Sequence, residues 1–560
     1  MRDKHALGRE AVAALFFVAL SIAATRPLAA LGRTHVLGHL DVLVDLWTVH
    51  WLTTHFFEPG QIFQGNIFQP AHHAVLHSDL SLGTVVLLLP FRPFVRDPVP
   101  LVNLAVLLAL AFAGWAFHAL GYVLTGDRWA GLLCGVLAAF SSHQMRHLYH
   151  LNLLSTGWLA LFLLGLHRTA QRPTVASVGL TGVSFALSAQ SSGYYGVAAL
   201  VLAAVFAAVH LRRVARPKAL AGLAAAAALG TLLTIPYLLA YLDTSREQGL
   251  RRNINMSASM AFHPGEDLTS DAYAYRWLSA REGERLFPGL LALGLGAVAV
   301  ARRRPGALFY GAAFLVLVLL SLGPRLEVGE GSVPLPYRWL FAVPPFDGMR
   351  HPYTFAAVAL FVLAVLAALG WSGSRLAARP WAGPLVVLLA VGETLSPAPL
   401  LRAIPAGVPP AYELVRQRPP APILEVPVFA PETLVWAARH GLPVVNGQGS
   451  AFVPAGTRII ARLVENHWVR AVPSDVDASK PGLYLADIFP ALYVIIPAVR
   501  KPEFRGLAAA FDRARLFAVV AQAADGDRIY ELRRERLTTP ARSAEPPAED
   551  QEPEAEPPPR

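Results

Sequence analysis

The stretch "HLDVLVDLWTVHW" (39–51) sets Asp41 and Asp45 four residues apart in a run otherwise rich in Leu, Val and Trp. On a helix this spacing turns both carboxylates to one face, where they repel by a few tenths of a kcal/mol in water and by more where water is excluded. A cation, a basic side chain or a shared proton would relieve them, and a carboxylate held in this way can act as a general base. The plainer alternative is a helix lying on a surface with its acids in water. Over 37–55 the pattern predicts one stripe of Leu37, Leu40, Val44, Trp47 and Trp51, and a second of Asp41, Asp45 and Thr48.

Other polar residues stand close by in sequence. "FQGNIFQP" and "HHAVLHSD" bring Asn66, His72, His73, His77 and Asp79. Two acids and three histidines could hold zinc or manganese, but the spacing matches no metal signature, and hydrogen-bonding histidines are the plainer reading. In "RHLYHLNLL", His147 and His150 fall three apart on one face at the mouth of an apolar run. They are placed to touch phosphate or an acceptor sugar, or else to cap the helix. The tyrosines of "QSSGYYG" suit an interfacial belt. "VVNGQGSAFVP" reads as a turn, because a phosphate loop would open a helix and this stretch meets Pro454.

The elements that must position these residues are those of a membrane chain. Of 560 residues 54% are hydrophobic and 15% charged, against roughly 25% charged in a soluble domain. Apolar runs at 11–30, 100–125, 129–141, 151–166, 175–189, 195–211, 219–242, 287–301, 307–322, 353–371 and 381–395 predict about eleven spans. The first run is longer than a signal-peptide core and is read as a span. The net charge of +10 comes from short clusters between apolar runs, which set orientation and give no reason to expect nucleic acid. If 80–95, broken by Pro90, Arg92 and Pro93, is interfacial or re-entrant, the clusters around Arg9, Arg128, Arg168, Arg172, "HLRRVARPK", "ARRRPG" and "SGSRLAARP" share one side. That side is the inside, with the N-terminus. The single cysteine, Cys134, excludes an internal disulfide.

The fold class expected is therefore mostly α, a polytopic helical bundle over 1–395 whose outer loop 32–99 carries the acids. It is followed by an extracytoplasmic α/β domain over 396–540 and a disordered Pro- and Glu-rich tail over 541–560. In the outer domain "APILEVPVF", "PVVNG", "ALYVIIP" and "RLFAVVAQAADGDRIYELR" read as strands, the last turning at Asp525-Gly526, and 457–472 as a helix. The chain is expected in the inner (cytoplasmic) membrane with its C-terminal domain outside.

The stretches "LDVLVDLWTVHW", "FQGNIFQP", "HSDLSLG", "RHLYHLNLLSTGWLAL", "SSGYYG", "PFDGMRHPYTF" and "PVVNGQGSAFVP", spread over nearly the whole chain, resemble the GT-C superfamily of integral-membrane glycosyltransferases. More closely, the chain is similar to bacterial multi-spanning proteins described as RgtA/B/C/D-like or YfhO-like. The resemblance implies a GT-C-like bundle and an inverting hexosyl- or pentosyltransferase. Its donor would be a polyprenyl-phosphate-linked sugar and its acceptor a cell-envelope glycan or lipid. It makes Asp41 the base or the holder of a divalent metal, magnesium or manganese, with Asp45 second and Asp79 a further acid; Asp41 and Asp79 are the metal ligands it suggests. The family position matching Asp45 is in places an amide.

Such a transfer also needs a positive group at the departing phosphate. Arg350, just outside a helix start, is the first candidate, followed by Arg146 and the pair Arg251 and Arg252. His147, His150 and Asn66 are the expected substrate contacts. Two rivals stand beside the transferase: a flippase or transporter of lipid-linked intermediates, and a non-catalytic envelope assembly protein. Most spans lack ionisable residues near their middle, which argues against an ion-coupled transporter.

Overall fold

The computed structural model describes residues 4–248, 254–279, 282–328, 331–343, 346–449, 453–462, 485, 487–497, 499, 501–513 and 517–533. The chain divides into two compact units, Met1–Phe63 with Ser78–Pro405, and Gln64–His77 with Ala406–Arg560.

The first unit is almost wholly helical. Among the described residues, Pro98–Thr125, Pro217–Glu247 and Thr354–Ser372 are long and apolar enough to cross a membrane. Shorter apolar helices, Arg128–Ala139, Gly193–Val209, Leu290–Ala301, Ala307–Ser321 and Ala382–Thr394, accompany them. At 1.5 Å per residue these cover about 18–26 Å, less than the ~30 Å hydrocarbon core, which is why composition alone counts more spans than helix length supports.

Local signals fix the helix ends. Asp97 accepts from the Val99 N–H ahead of Pro98, so proline takes a first-turn position where its missing N–H costs nothing. Gly126, at φ 72°, closes that helix, and Asp127 accepts from the Trp129 N–H to open the next. The two helices pack as a hairpin so closely that a Cβ on Gly135 would strike the Gly114 carbonyl.

Thr354–Ser372 is the centre of the unit, buried from Thr354 through Trp371. A helix apolar all round is covered by lipid or by other helices, and here it is other helices that cover it. Leu290–Ala301, Ala307–Ser321, Arg128–Ala139 and Pro98–Thr125 pack against it. At Gly370 the Leu295 carbonyl occupies the place of a Cβ.

The helix expected over 37–55 begins at Asp41 and ends at His55. Residues His35–Leu37 instead form a strand antiparallel to Leu401–Ala403, with Val36 opposite Arg402. The surface-lying, two-striped helix is not what forms. Val42, Leu43, Leu46 and Val49 are buried along with Val44, Trp47 and Thr48, while Leu40 is exposed, so the helix is enclosed on most sides. The segment 80–95 contains the seven-residue helix Leu82–Leu88 and the turn Leu89–Phe91.

The second unit holds a four-stranded sheet in the order Ile423–Glu425, Tyr493–Ile496, Arg528–Leu532, Phe517–Gln522. The first pair is parallel and the others antiparallel. The hairpin turns at Asp525 and Gly526, with Gly526 at φ 85°. Val444 of "PVVNG" makes an isolated bridge to Ile423 rather than a strand. Helices Pro410–Arg416, Glu432–His440, Ala455–Arg462 and Arg505–Arg513 accompany the sheet. Leu424, Val426, Val494, Ile496, Phe511 and Tyr530 lie at the centre of its core. The rest of the expected helix 457–472 and the tail 541–560 lie outside the described residues.

Candidate active site

Three successive residues of "RHLYHLN" each take one of the three acids singled out in the sequence. His150 Nε2 lies 2.9 Å from Asp41 Oδ2. The Leu151 N–H donates to Asp45 Oδ2 at 3.0 Å. Asn152 Nδ2 donates to Asp79 Oδ2 at 2.6 Å. The helix Asp41–His55 presents the first two acids one turn apart, and Asp79 arrives just ahead of Leu82–Leu88.

The segment that meets them is held from behind. Ser141 accepts from the Gln144 N–H to open Ser142–Arg146, and Gln144 Nε2 donates to the Leu153 carbonyl at 3.1 Å. The same carbonyl accepts the Tyr195 hydroxyl at 2.6 Å. Tyr195 is fully buried, so the interfacial belt expected for "QSSGYYG" does not apply to it. Ser191 of that motif accepts the Gly83 N–H at 2.7 Å, tying it to the acid-bearing segment.

These contacts give the two carboxylates of the opening motif different states. The hydrogen bond from His150 holds Asp41 below the usual carboxylate range, against the opposing effect of burial. Burial pushes Asp45 up to about 7, partly offset by the Leu151 N–H. Repulsion at i,i+4 is thus relieved twice over, by a basic ring on one acid and by retention of the proton on the other. Asp41 keeps 26% of its side chain exposed and is open to a reactant. His39 lies beside it, its ring stacked on Tyr149 at 4.2 Å.

The histidine chain continues away from Asp41. His150 Nδ1 lies 3.2 Å from His147 Nδ1, and His147 Nε2 lies 2.9 Å from Glu284 Oε2. His143 Nδ1 donates to the Glu284 carbonyl at 2.7 Å. The Glu284 N–H donates to Asp267 Oδ1 at 3.0 Å, and Arg285 pairs with Asp271 at 2.7 Å, which anchors the loop. Burial holds His143 down to about 3 and His147 well below the ordinary histidine value.

The remaining expected site residues are placed as follows. Arg350 is half-buried, with its Nε buried and without a hydrogen-bond partner among the described residues. Its neighbour His351 packs 5.3 Å from Tyr353, whose ring lies 6.5 Å from His143, so this segment reaches the edge of the histidine group. Arg146 is exposed one residue before His147. Arg251 and Arg252 lie outside the described residues. Asn66 belongs to the second unit, where its amide donates to the Ala437 and Leu442 carbonyls. That engages its amide nitrogen with backbone carbonyls of the same unit. His72, His73 and His77 belong to the same unit.

Asp41 and Asp79, the metal ligands suggested by the resemblance, each accept from a neighbouring side chain, His150 Nε2 and Asn152 Nδ2. Among the described residues, the ligand atoms that converge are those of His143, His147 and Glu284. Sequence reasoning passed over His143 and Glu284. The i,i+4 spacing of His143 and His147 was a usable signal, whereas Glu284, more than a hundred residues away, offered none.

No family model matches the sequence, and no curated protein matches it. Solved structures do show likeness. One is an arabinofuranosyltransferase, AftD, from mycobacteria (16% identity, TM-score 0.49, 94% of this chain and 41% of that one). Another is ArnT from Cupriavidus metallidurans bound to undecaprenyl phosphate (14%, TM-score 0.45, 92% and 97%). A third is an oligosaccharyltransferase from Archaeoglobus fulgidus (13%, TM-score 0.45, 90% and 71%). The chain spans 41% of the length of the first.

Proposed function

We propose that this chain is a membrane glycosyltransferase that moves a sugar from a polyprenyl-phosphate donor to a cell-envelope glycan or lipid. The observation that carries the reading is the engagement of Asp41, Asp45 and Asp79 by His150, Leu151 and Asn152. It leaves one carboxylate held below the usual range and partly exposed beside one that burial raises to about 7. Two acids with separated states are the arrangement that assigns a base.

In this reading Asp41 takes the proton of the acceptor hydroxyl as that oxygen bonds to the sugar's anomeric carbon. The bond from that carbon to the phosphate oxygen breaks on the opposite face, which inverts the centre. The departing phosphate carries the electron pair and is met by Arg350, with Arg146 the second candidate. His150 aims Asp41 and steadies its charge. Asp45 acts as a neutral structural acceptor for the Leu151 N–H, in keeping with an amide at the matching family position.

The setting is a bundle of about eleven spans with the acids and an α/β domain outside. A lipid-linked donor follows from that side, because nucleotide sugars are confined to the inside. The test uses cells lacking the native protein, supplied with wild type or Asp41→Asn at equal protein level. Envelope glycans and lipid-linked sugars are then profiled by mass spectrometry. Loss of one glycan with accumulation of a polyprenyl-phosphate sugar supports the transferase. A variant profile identical to wild type, where full deletion changes it, hands the function to a flippase or an assembly protein.

A further inference from the structure

The transfer chemistry proposed above uses Asp41 and His150 and leaves His143, His147 and Glu284 without a task. Their ligand atoms all lie within 4.8 Å of one another. His143 and His147 come from adjacent turns at 142–147, and Glu284 from a distant loop fixed by Asp267 and by the Arg285–Asp271 pair.

Two features point to a ligand. The first is His143. Its partner at Nδ1 is a carbonyl, so Nδ1 carries the hydrogen and Nε2 carries the lone pair. That Nε2 is fully buried and has no hydrogen-bond partner among the described residues. A backbone carbonyl on the far nitrogen is how metal-binding histidines are held in the ligating tautomer.

The second feature is the approach of His147 to Glu284. Its Nε2 lies 2.9 Å from Glu284 Oε2, and its Nδ1 lies 3.2 Å from His150 Nδ1. In the tautomer in which His147 Nδ1–H donates to His150, the Nε2 lone pair faces the carboxylate, and a cation between them joins the two.

We propose that His143 Nε2, His147 Nε2 and Glu284 Oε2 bind one divalent transition-metal ion of the zinc class. Two imidazoles and one carboxylate favour zinc over the all-oxygen sites of magnesium and calcium. Metal–ligand distances of about 2.0–2.2 Å place ligand atoms roughly 3.3–3.5 Å apart, so small side-chain rotations close the set. Three protein ligands leave a position for water or an oxyanion, reached beside Glu284, whose side chain is 29% exposed. Any part the ion plays at a donor phosphate rests on the transferase reading. Its binding does not.

The experiment measures binding without turnover. The full chain is purified in detergent through a tag free of histidine, stripped with chelator, reloaded with zinc and assayed for metal per chain. Wild type is expected to hold one zinc, and cobalt in its place to show the ligand-field bands of a low-coordinate nitrogen and oxygen site. His143→Ala with His147→Ala is expected to hold none while keeping its elution position. Glu284→Gln, close in size, is expected to bind at least about tenfold more weakly, and it decides the matter if the double variant fails to fold. His150→Ala keeps all three ligands and is expected to retain the ion with about tenfold lower affinity.

Wild type without zinc, or binding only magnesium or calcium, overturns the site. So does one zinc per chain in the double variant. Glycosyl transfer unaffected by stripping would refute a role for the ion in transfer while leaving the binding result intact. Zinc binding without any transfer would refute the transferase and leave the metal site standing.

Discussion

Asp45→Asn separates a buried acid that keeps its proton from one that works as a base. In the folded chain burial lifts this carboxyl from 3.8 to about 7. That is roughly three pH units, at about 1.4 kcal/mol each, or about 4 kcal/mol for a fully closed site. Asp45 keeps a partial opening to water, and solvent screening reduces the expectation to about 2 kcal/mol. Below about pH 4 both folded and unfolded chains carry the proton and the group is neutral in effect. Between about pH 4 and pH 7 the unfolded chain releases it and the folded chain does not, so stability falls as pH rises. Above about pH 7 the full penalty is present. Asparagine does not titrate, and its carbonyl oxygen can accept the Leu151 N–H as Asp45 Oδ2 does. The variant's stability relative to wild type is therefore expected to be near zero at about pH 4 and to rise to about +2 kcal/mol by about pH 8. Thermal unfolding in detergent, followed by tryptophan fluorescence over that range, measures it. Taking the difference between the two chains removes the contribution of the buried histidines, whose depressed values act in the opposite direction. A difference that is flat with pH, or that falls, would refute the protonated Asp45.

The same substitution is expected to retain glycosyl transfer, while Asp41→Asn loses about 10²–10⁴-fold in rate, the usual range for a general base; parallel assays of the two variants on extracted lipid-linked donor decide it. In the second unit, Asn446→Ala strands the Glu425 N–H and the Glu425 and Val428 carbonyls. A loss of about 3 kcal/mol is expected, visible as faster limited proteolysis of the C-terminal segment. Gly370→Ala places a methyl on the Leu295 carbonyl and is expected to cost about 1–3 kcal/mol, read as a lower unfolding temperature at unchanged expression.

Much of the architecture is legible because its causes are local. The Asp525-Gly526 turn forms where the sequence predicts it, and the Asp127 cap and the φ-positive Gly126 likewise act within a few residues. The two-stripe picture of 37–55 fails for a physical reason. Periodicity reports which face is more apolar, and it cannot report that neighbouring helices, Leu82–Leu88 and Pro98–Thr125, pack on Asp41–His55, or that 35–37 leaves the helix to pair with 401–403.

The acids follow the same division. Spacing alone determines that Asp41 and Asp45 share a helix face and need relief. Which acid takes the histidine and which keeps the proton depends on His150 and Leu151, more than a hundred residues on. Glu284 is placed against His147 by a loop whose anchors, Asp267 and Asp271, carry no pattern of their own. Charge state and ligand geometry depend on burial and on distances between remote segments. Those quantities exist only once the chain has packed, and the sequence holds the groups without holding their separations.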